Sequence, residues 1–431
     1  MQDQTIKTNA PVNEFAAARQ FFAGAGRKWW QVLAILTVAI GTFASLYHLY
    51  VPIVGAYDTF VLRPLHLLLI SLVGLLSFSI RGGKRDFSKP DWTWAIDFVL
   101  GVALTLSLVH ILMDPTGLEE RFAYSEATTL DTVAAVALVA LVVELARRCI
   151  GLPIAILIVI ILAYGIWGGD SFSIFRHRPI PTPEVFQGLY MTTFGIFGSP
   201  VAAMATYVFL FIIFGAYIEK CKTGMLIQRV GLKATGKSPG GPAKVAVVTS
   251  ASFGTISGSA LANVMATGAV TIPLMKRIGF RKEDAGGIEA AASSGGQLTP
   301  PIMGAVAFVM SDITGIPYAD IIVAAAVPAL LFYVSLFVAI DLTARRDNMQ
   351  GVPDEMMPKR GEIMQLAHMV LPIVTLVVAL VSGYSPMMSA LVGIATAIVV
   401  SSLRAETRLS LPEILGCLHT AAKTTVVATI A

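Results

Sequence analysis

The chain has 431 residues, 55% of them hydrophobic and 13% charged, with a formal net charge of +4; its mean hydropathy is +0.75. That composition excludes an ordinary soluble domain and points to a polytopic membrane protein. The basic residues gather at the ends of apolar segments, which is an orientation signal for a lipid bilayer and predicts no nucleic-acid partner. The cysteines (Cys149, Cys221 and Cys417) lack metal-ligand spacing and are too few for a disulfide framework.

Taken in order, residues 1–28 read as a cytoplasmic tail. It lacks the apolar core of a cleavable signal, and its stretch 14–22 is amphipathic and suited to a membrane surface. Apolar runs predict spans over 29–50, 62–80, 92–113, 130–145 and 150–167. The loops after the second and fourth are basic (Arg81, Lys84, Arg85, Lys89; Arg147, Arg148), so the N-terminus is expected in the cytoplasm, with the three cysteines on that reducing side. Arg63, Arg176 and Arg178 then fall outside, against the trend. The Pro-led segment 168–199 predicts an interfacial helix, and a sixth span follows over 200–218.

The middle of the chain is apolar but interrupted. Residues 244–276 carry basic residues at both ends and FGTISGS (253–259) at the centre. Arms of about 10 and 16 residues are too short to cross comfortably, so this stretch predicts a re-entrant helical hairpin. Residues 285–310 predict a discontinuous helix, broken where SSGGQLTPP (293–301) sets paired glycines before paired prolines. Spans over 321–342, 363–381 and 387–403 follow. TPEVFQGL at 182 and LPEILGCL at 411 are similar, and an odd number of crossings separates them, the pattern of an inverted repeat. The expected fold class is all-α: a polytopic membrane protein with a re-entrant hairpin and a broken helix, its second repeat missing. The expected domains are the tail 1–28, a four-helix scaffold 29–149, a linker helix and periplasmic segment 150–182, a first repeat 183–343, a loop with two spans 344–410, and the start of a second repeat 411–431.

FGTISGSALANVMATGAVTIPLMKRIGF (253–280), followed by EAAASSGGQLTPPIMGAVAFVMSDITGIPYADI (289–321), resembles the large membrane subunit of tripartite ATP-independent periplasmic (TRAP) transporters. It looks like the branch in which the small four-helix subunit is fused to the large one and works with TAXI-type substrate-binding proteins. The resemblance implies an elevator-type transporter in the bacterial inner membrane, multi-pass. A periplasmic TAXI-type binding protein would deliver a small organic anion (dicarboxylate, keto acid or amino acid), and a cation gradient would drive its import. It implies no enzyme activity, no catalytic residue, no cofactor and no metal beyond Na⁺, with Na⁺ ahead of H⁺ as coupling ion. Many large subunits carry Asp in a Ser-Gly-Ser-Ala-x-Ala-Asp pattern; Asn263 stands there instead, which suits the TAXI branch and removes a carboxylate.

A helix end inside a membrane offers unpaired backbone groups and half a dipole charge. The helix starting after Ser257, Gly258 and Ser259 presents N–H groups and hydroxyls that suit a carboxylate. Ser257, Gly258, Ser259, Asn263, Thr299 and Pro300 are therefore the expected substrate-binding residues. Helix ends before Gly254 and Gly295 would offer carbonyls to Na⁺, so Gly254, Gly295, Gly296 and the intramembrane acid Glu289 are the expected ion-coupling residues. The competing reading of these glycines and serines is close helix packing alone, and that of Glu289 is a partner for a nearby Lys or Arg. Asp97 and Glu144, near the inner ends of their spans, are expected to snorkel or to form interfacial ion pairs, and Asp312 is expected in solvent. GLKATGKS (231–238) matches a P-loop in letters but lacks the strand before it and the helix behind it, and reads as a plain loop. Ser257-Gly258 would need a histidine base for protease chemistry; His48, His66 and His110 are the candidates, and none is placed for it. The remaining alternative is an inactive scaffold carrying half a site.

Overall fold

The structure, a computed structural model, describes residues 14, 17–18, 29–55, 58–87, 91–168, 177–178 and 180–430. Most of the tail, much of the amphipathic stretch 14–22, and Lys89 and Arg176 lie outside the described residues. Those described are almost wholly helical, and the only extended pairing among them is an isolated bridge between Phe78 and Lys84. Among the described residues seven helices are long and apolar enough to cross a membrane, and Leu152–Trp167 and Pro386–Ser401 are shorter apolar helices. The chain divides into two compact units, Met1–Ala205 with Leu418–Ala431, and Thr206–Cys417.

The first unit contains α1 (Trp29–Val54), α2 (Thr59–Ser77), α3 (Trp94–Met113), α4 (Pro115–Ala123), α5 (Thr129–Cys149), α6 (Leu152–Trp167) and α7 (Thr182–Met191). Local chemistry sets their ends. Asp58 caps α2 by accepting from the Phe60 N–H at 2.7 Å. Thr128 and Asp131 form a reciprocal capping box on α5. Leu152 and Pro153 open α6 after Gly151, whose φ of +132° separates it from α5. α7 docks onto α5 and α3: Gln187 Nε2 donates to Thr132 Oγ1 at 2.7 Å, and the Tyr190 hydroxyl donates to Ser107 O at 2.5 Å. Between spans, the Arg121 guanidinium holds the Asp114 carboxyl below the usual carboxylate range.

Of snorkelling and ion pairing, the two expectations for Asp97 and Glu144, the structure shows ion pairing. Arg85 and Arg148 both bind the Asp97 carboxylate, Arg148 at 2.6 Å, and all three are buried. Arg148 and Arg147 also grip Glu144, each at 2.7 Å. Arg85 lies flat over Trp94, 3.8 Å from the ring centre. The three histidines have partners in this unit. His66 Nδ1 is 2.9 Å from His48 Nε2, and His110 Nε2 is 2.7 Å from Asp131. Glu14 of the tail is buried and pairs with Lys423.

The second unit begins within α8 (Ser199–Lys220), which carries a π-helical turn at Met204–Val208. It continues with α9 (Thr223–Thr235), α10 (Gly241–Ser257), α11 (Ala260–Arg277), α12 (Lys282–Ser294), α13 (Ala305–Thr314), α14 (Tyr318–Arg346), α15 (Arg360–Leu366), α16 (Leu371–Val381), α17 (Pro386–Ser401) and the start of α18 (Leu411–Ile430). Its core packs Ala243, Ala246 and Val247 of α10 against Met275, Ala285, Ala292 and Ile340. The P-loop-like run is not a loop: Gly231 to Thr235 lie in α9. Gly231 is there for contact, since a Cβ would come 2.8 Å from Thr249 Cγ2 of α10. α10 and α11 form a helical hairpin, and α12 stops at Ser294 before a 3₁₀ turn, Gly295–Leu298. Asp312 is exposed.

Candidate functional site

Small residues let backbones meet at the centre of the second unit. α10 does not end before Gly254, as the sequence implied, but runs on through Phe253 and Gly254 to Ser257. A single helical glycine costs only about 1 kcal/mol, so the FGTISGS run stays helical until its last glycine. The arms accordingly have 17 and 18 residues, longer than expected. The turn comes at Gly258, with φ +58°, whose N–H donates to Gly254 O at 3.2 Å. Ser259 caps α11 by accepting from the Ala262 N–H at 3.3 Å, and Ser257 Oγ accepts from the Ser259 N–H at 3.4 Å.

The two breaks come together. A Cβ on Gly254 would lie under 3.0 Å from Gly296 Cα, and a Cβ on Gly258 under 3.0 Å from Met303 O. Gly254 and Gly296 are thus in backbone contact across the hairpin arm and the 3₁₀ turn, a distance only glycines allow. Asn263, fully buried, stands beside this contact. Its Nδ2 donates to Ser250 O at 2.9 Å, which fixes the amide's orientation because a carbonyl can only accept. Its Oδ1 is buried with no hydrogen-bond partner.

Gly295 faces the other way: a Cβ there would strike Phe332 and Tyr333 of α14. Thr299 follows it, its hydroxyl donating to Gly295 O at 2.8 Å and lying 3.3 Å from the Tyr333 hydroxyl. Pro300 is the next residue of the same loop, joined to Pro301 by a cis bond. Of the expected residues, Gly254, Asn263 and Gly296 therefore share one contact, while Gly258, flanked by Ser257 and Ser259 at the turn, lies against Met303. Gly295 and Thr299 lie on the α14 side. The carbonyls proposed for a cation already accept one bond each: Gly254 O from Gly258 N, Gly295 O from Thr299 Oγ1, and Gly296 O from Thr299 N at 3.3 Å. Each keeps a second lone pair.

Glu289 lies on α12, at 0% exposure, and among the described residues no Lys or Arg is bound to it. The reading of Glu289 as partner to a nearby cation is corrected: hydroxyls from Thr267 and Thr271 on α11 and from Ser293 surround its carboxyl. Sequence reasoning missed these hydroxyls, although Asn263, Thr267 and Thr271 repeat at four-residue spacing and Ser293 follows Glu289 by four, so each set shares a helix face. It also missed two tyrosines of α14. Tyr333 donates to Ala292 O at 3.2 Å, and the Tyr318 hydroxyl reaches Pro301 O at 2.7 Å and Ile302 O at 2.6 Å. Tyr318→Phe is expected to lower stability by about 1–3 kcal/mol, because it strips a donor from buried carbonyls. A thermal midpoint in detergent equal to the wild type would refute that.

The Ser257 hydroxyl accepts from the Ser259 amide, and His48, His66 and His110 of the first unit have partners of their own. Among the described residues no group of three or more His, Cys, Asp or Glu could hold a metal ion. A cavity of about 300 Å³ between α10 and α14 is apolar apart from Ser252 and Tyr333, and does not suit an anion.

The family described as "Tripartite ATP-independent periplasmic transporter, DctM component" matches residues 137–431. The C4-dicarboxylate TRAP transporter large permease protein DctM of Vibrio cholerae serotype O1 is 32% identical over 143 residues, covering 33% of this chain and 31% of that protein. The uncharacterized protein y4mL of Sinorhizobium fredii is 29% identical over 171 residues, 40% of each chain. The matches thus span well under half the length of these curated relatives.

Proposed function

Because the chain belongs to the DctM component family of tripartite ATP-independent periplasmic transporters, we propose that it is a secondary-active permease importing a small organic anion by an elevator motion, driven by a cation gradient. The family is one of transporter permeases and not of enzymes. A periplasmic substrate-binding protein of the TAXI type delivers the anion, and the protein sits in the bacterial inner membrane with its N-terminus in the cytoplasm. A C4-dicarboxylate, as in the name of the Vibrio relative, or a keto or amino acid is the proposed cargo. One observation carries the reading: the backbone contact between Gly254 and Gly296, where a hairpin and a broken helix meet beside the unpartnered Asn263 oxygen. Non-helical backbone at membrane depth is tolerated where it lines a site. Oxygen donors without their own charge suit Na⁺, and the amide-rich start of α11 suits a carboxylate.

The test is uptake of labelled succinate or 2-oxoglutarate into proteoliposomes holding the full-length protein, with its purified binding protein outside. Sodium and proton gradients are imposed separately. Uptake is expected only with the binding protein and with at least one inward gradient. Uptake indifferent to the binding protein and to both gradients overturns the proposal.

A further inference from the structure

We infer that Glu289 is a proton-binding site, loaded and emptied during the transport cycle; this rests on the cation-coupled reading above. Thr267 places its hydroxyl on one carboxyl oxygen and Thr271 places its own on the other, the latter at 2.5 Å. Ser293 lies 3.4 Å from the first oxygen. Ser250 of α10 closes the ring, 3.3 Å from Thr267 Oγ1 and 3.4 Å from Ser293 Oγ. Gly268 makes room for the acid: a Cβ there would lie 3.1 Å from Glu289 Cγ. All five polar side chains are buried.

A group that must gain and lose a proton needs partners that satisfy both forms. An arginine or lysine would hold the carboxylate ionised, and an apolar pocket would hold it neutral. Hydroxyls do neither, because each can donate or accept. Thr267 and Thr271 also have a second acceptor in reach, Asn263 O and Thr267 O, each at 2.9 Å. When Glu289 is ionised, the threonine hydroxyls turn to it. When it is protonated, its O–H donates to one threonine, and that hydroxyl turns to its helix carbonyl. Only hydroxyl rotations separate the two states. The proton that binds comes from one aqueous side and leaves to the other, with no bond broken beyond the carboxyl O–H.

No charge on the packed elements competes. On α10, Lys244 is bound to Asp341 at 2.5 Å. On α11, Lys276 and Arg277 are exposed at its far end. On α12, Lys282 and Glu283 are exposed, and Asp284 is paired with Arg281. From α14, Tyr333 approaches only as far as Ala292 O and Thr299. The ring also touches the hairpin site, since Asn263 supplies a carbonyl to Thr267 and its amide bonds Ser250 O.

Infrared spectroscopy of the full-length protein in lipid tests this without any substrate. A carboxylic-acid C=O band is expected that bleaches as pH rises, returns as it falls, shifts in D₂O, and is absent from Glu289→Gln. Thr271→Val, which keeps the acid, should displace the band, so a failure of the first variant to fold does not end the test. No such band at any pH, or one indifferent to pH and D₂O, overturns the inference. In proteoliposomes, Glu289→Gln is expected to lose at least tenfold of the succinate uptake driven by a pH gradient. A wild type that ignores the pH gradient, or a variant that still follows it, overturns the coupling role. Because uptake driven by sodium is scored in the same vesicles, these outcomes leave the transport reading to stand or fall separately.

Discussion

Asp97→Ala is expected to cost about 3–5 kcal/mol, the penalty for stranding buried charge. Asp97 is 3% exposed and holds Arg85 in a buried ion pair, while Arg148 also has Glu144 at 2.7 Å. Removing the carboxylate therefore strands Arg85 more than Arg148. Among the described residues Arg85 Nε and Nη1 and Arg148 Nη2 have no hydrogen-bond partner even with Asp97 in place, so its loss adds to donors already unsatisfied. Stacking on Trp94 at 3.8 Å holds the Arg85 guanidinium in place and prevents a cheap escape to water. Adding Arg85→Met to the alanine variant should recover a large part of the loss, since replacing a whole buried ion pair by apolar groups is often close to neutral. Thermal unfolding in detergent, followed by a thiol-reactive dye at the half-buried Cys149 next to Arg148, reads both. A single variant as stable as the wild type, or a double variant worse than the single, would sink this account.

The network shows what a sequence can and cannot say. Asp97 and Glu144 sit near segment ends, and hydropathy with charge position is enough to expect either snorkelling or ion pairing there, but not to choose between them or to name the partners. That Arg85, from the loop after α2, is the second ligand of Asp97 depends on how α2, α3 and α5 pack, which no local pattern encodes. The broken helix was legible because paired glycine and proline have strong, local effects on backbone freedom, and the hairpin because basic residues bracket a centre of small residues. Where the first arm ends was not: FGTISGS looks like a break, but only Gly258 adopts a left-handed conformation, and Gly254 stays helical to meet Gly296. Composition alone cannot separate a glycine that ends a helix from one that lets another backbone approach. The two Pro-Glu segments show the same limit. Both open helices, yet α7 stops after 10 residues and α18 continues for 20. For Glu289, its depth in the chain was legible, but its hydroxyl partners come from three helices and required the packing to be known.

Gly258→Ala is expected to lower the stability of the second unit by about 2–5 kcal/mol. Two independent costs add there. A left-handed conformation costs an L-residue about 1–2 kcal/mol, and Gly258 has φ +58°. The new methyl would also lie under 3.0 Å from the Met303 carbonyl oxygen, a backbone atom that cannot swing aside. Overpacking of this kind typically costs about 1–3 kcal/mol. Met303 itself has φ +58°, and Gly304 N donates to Gln297 O at 2.8 Å, so the loop that would have to yield is already tied down. The two costs can be told apart with Gly258→Asn, because asparagine tolerates the left-handed region but carries the same Cβ. If the carbonyl contact dominates, alanine and asparagine are equally harmful; if backbone conformation dominates, asparagine recovers most of the loss. The buried thiols Cys221 and Cys417 report unfolding of this unit to a thiol-reactive dye. Gradient-driven uptake by the folded fraction then shows whether a hairpin pushed off its partner loop still holds a site. A Gly258→Ala protein with wild-type stability and uptake would mean that the turn and the loop separate freely, and that their contact is not what builds the site.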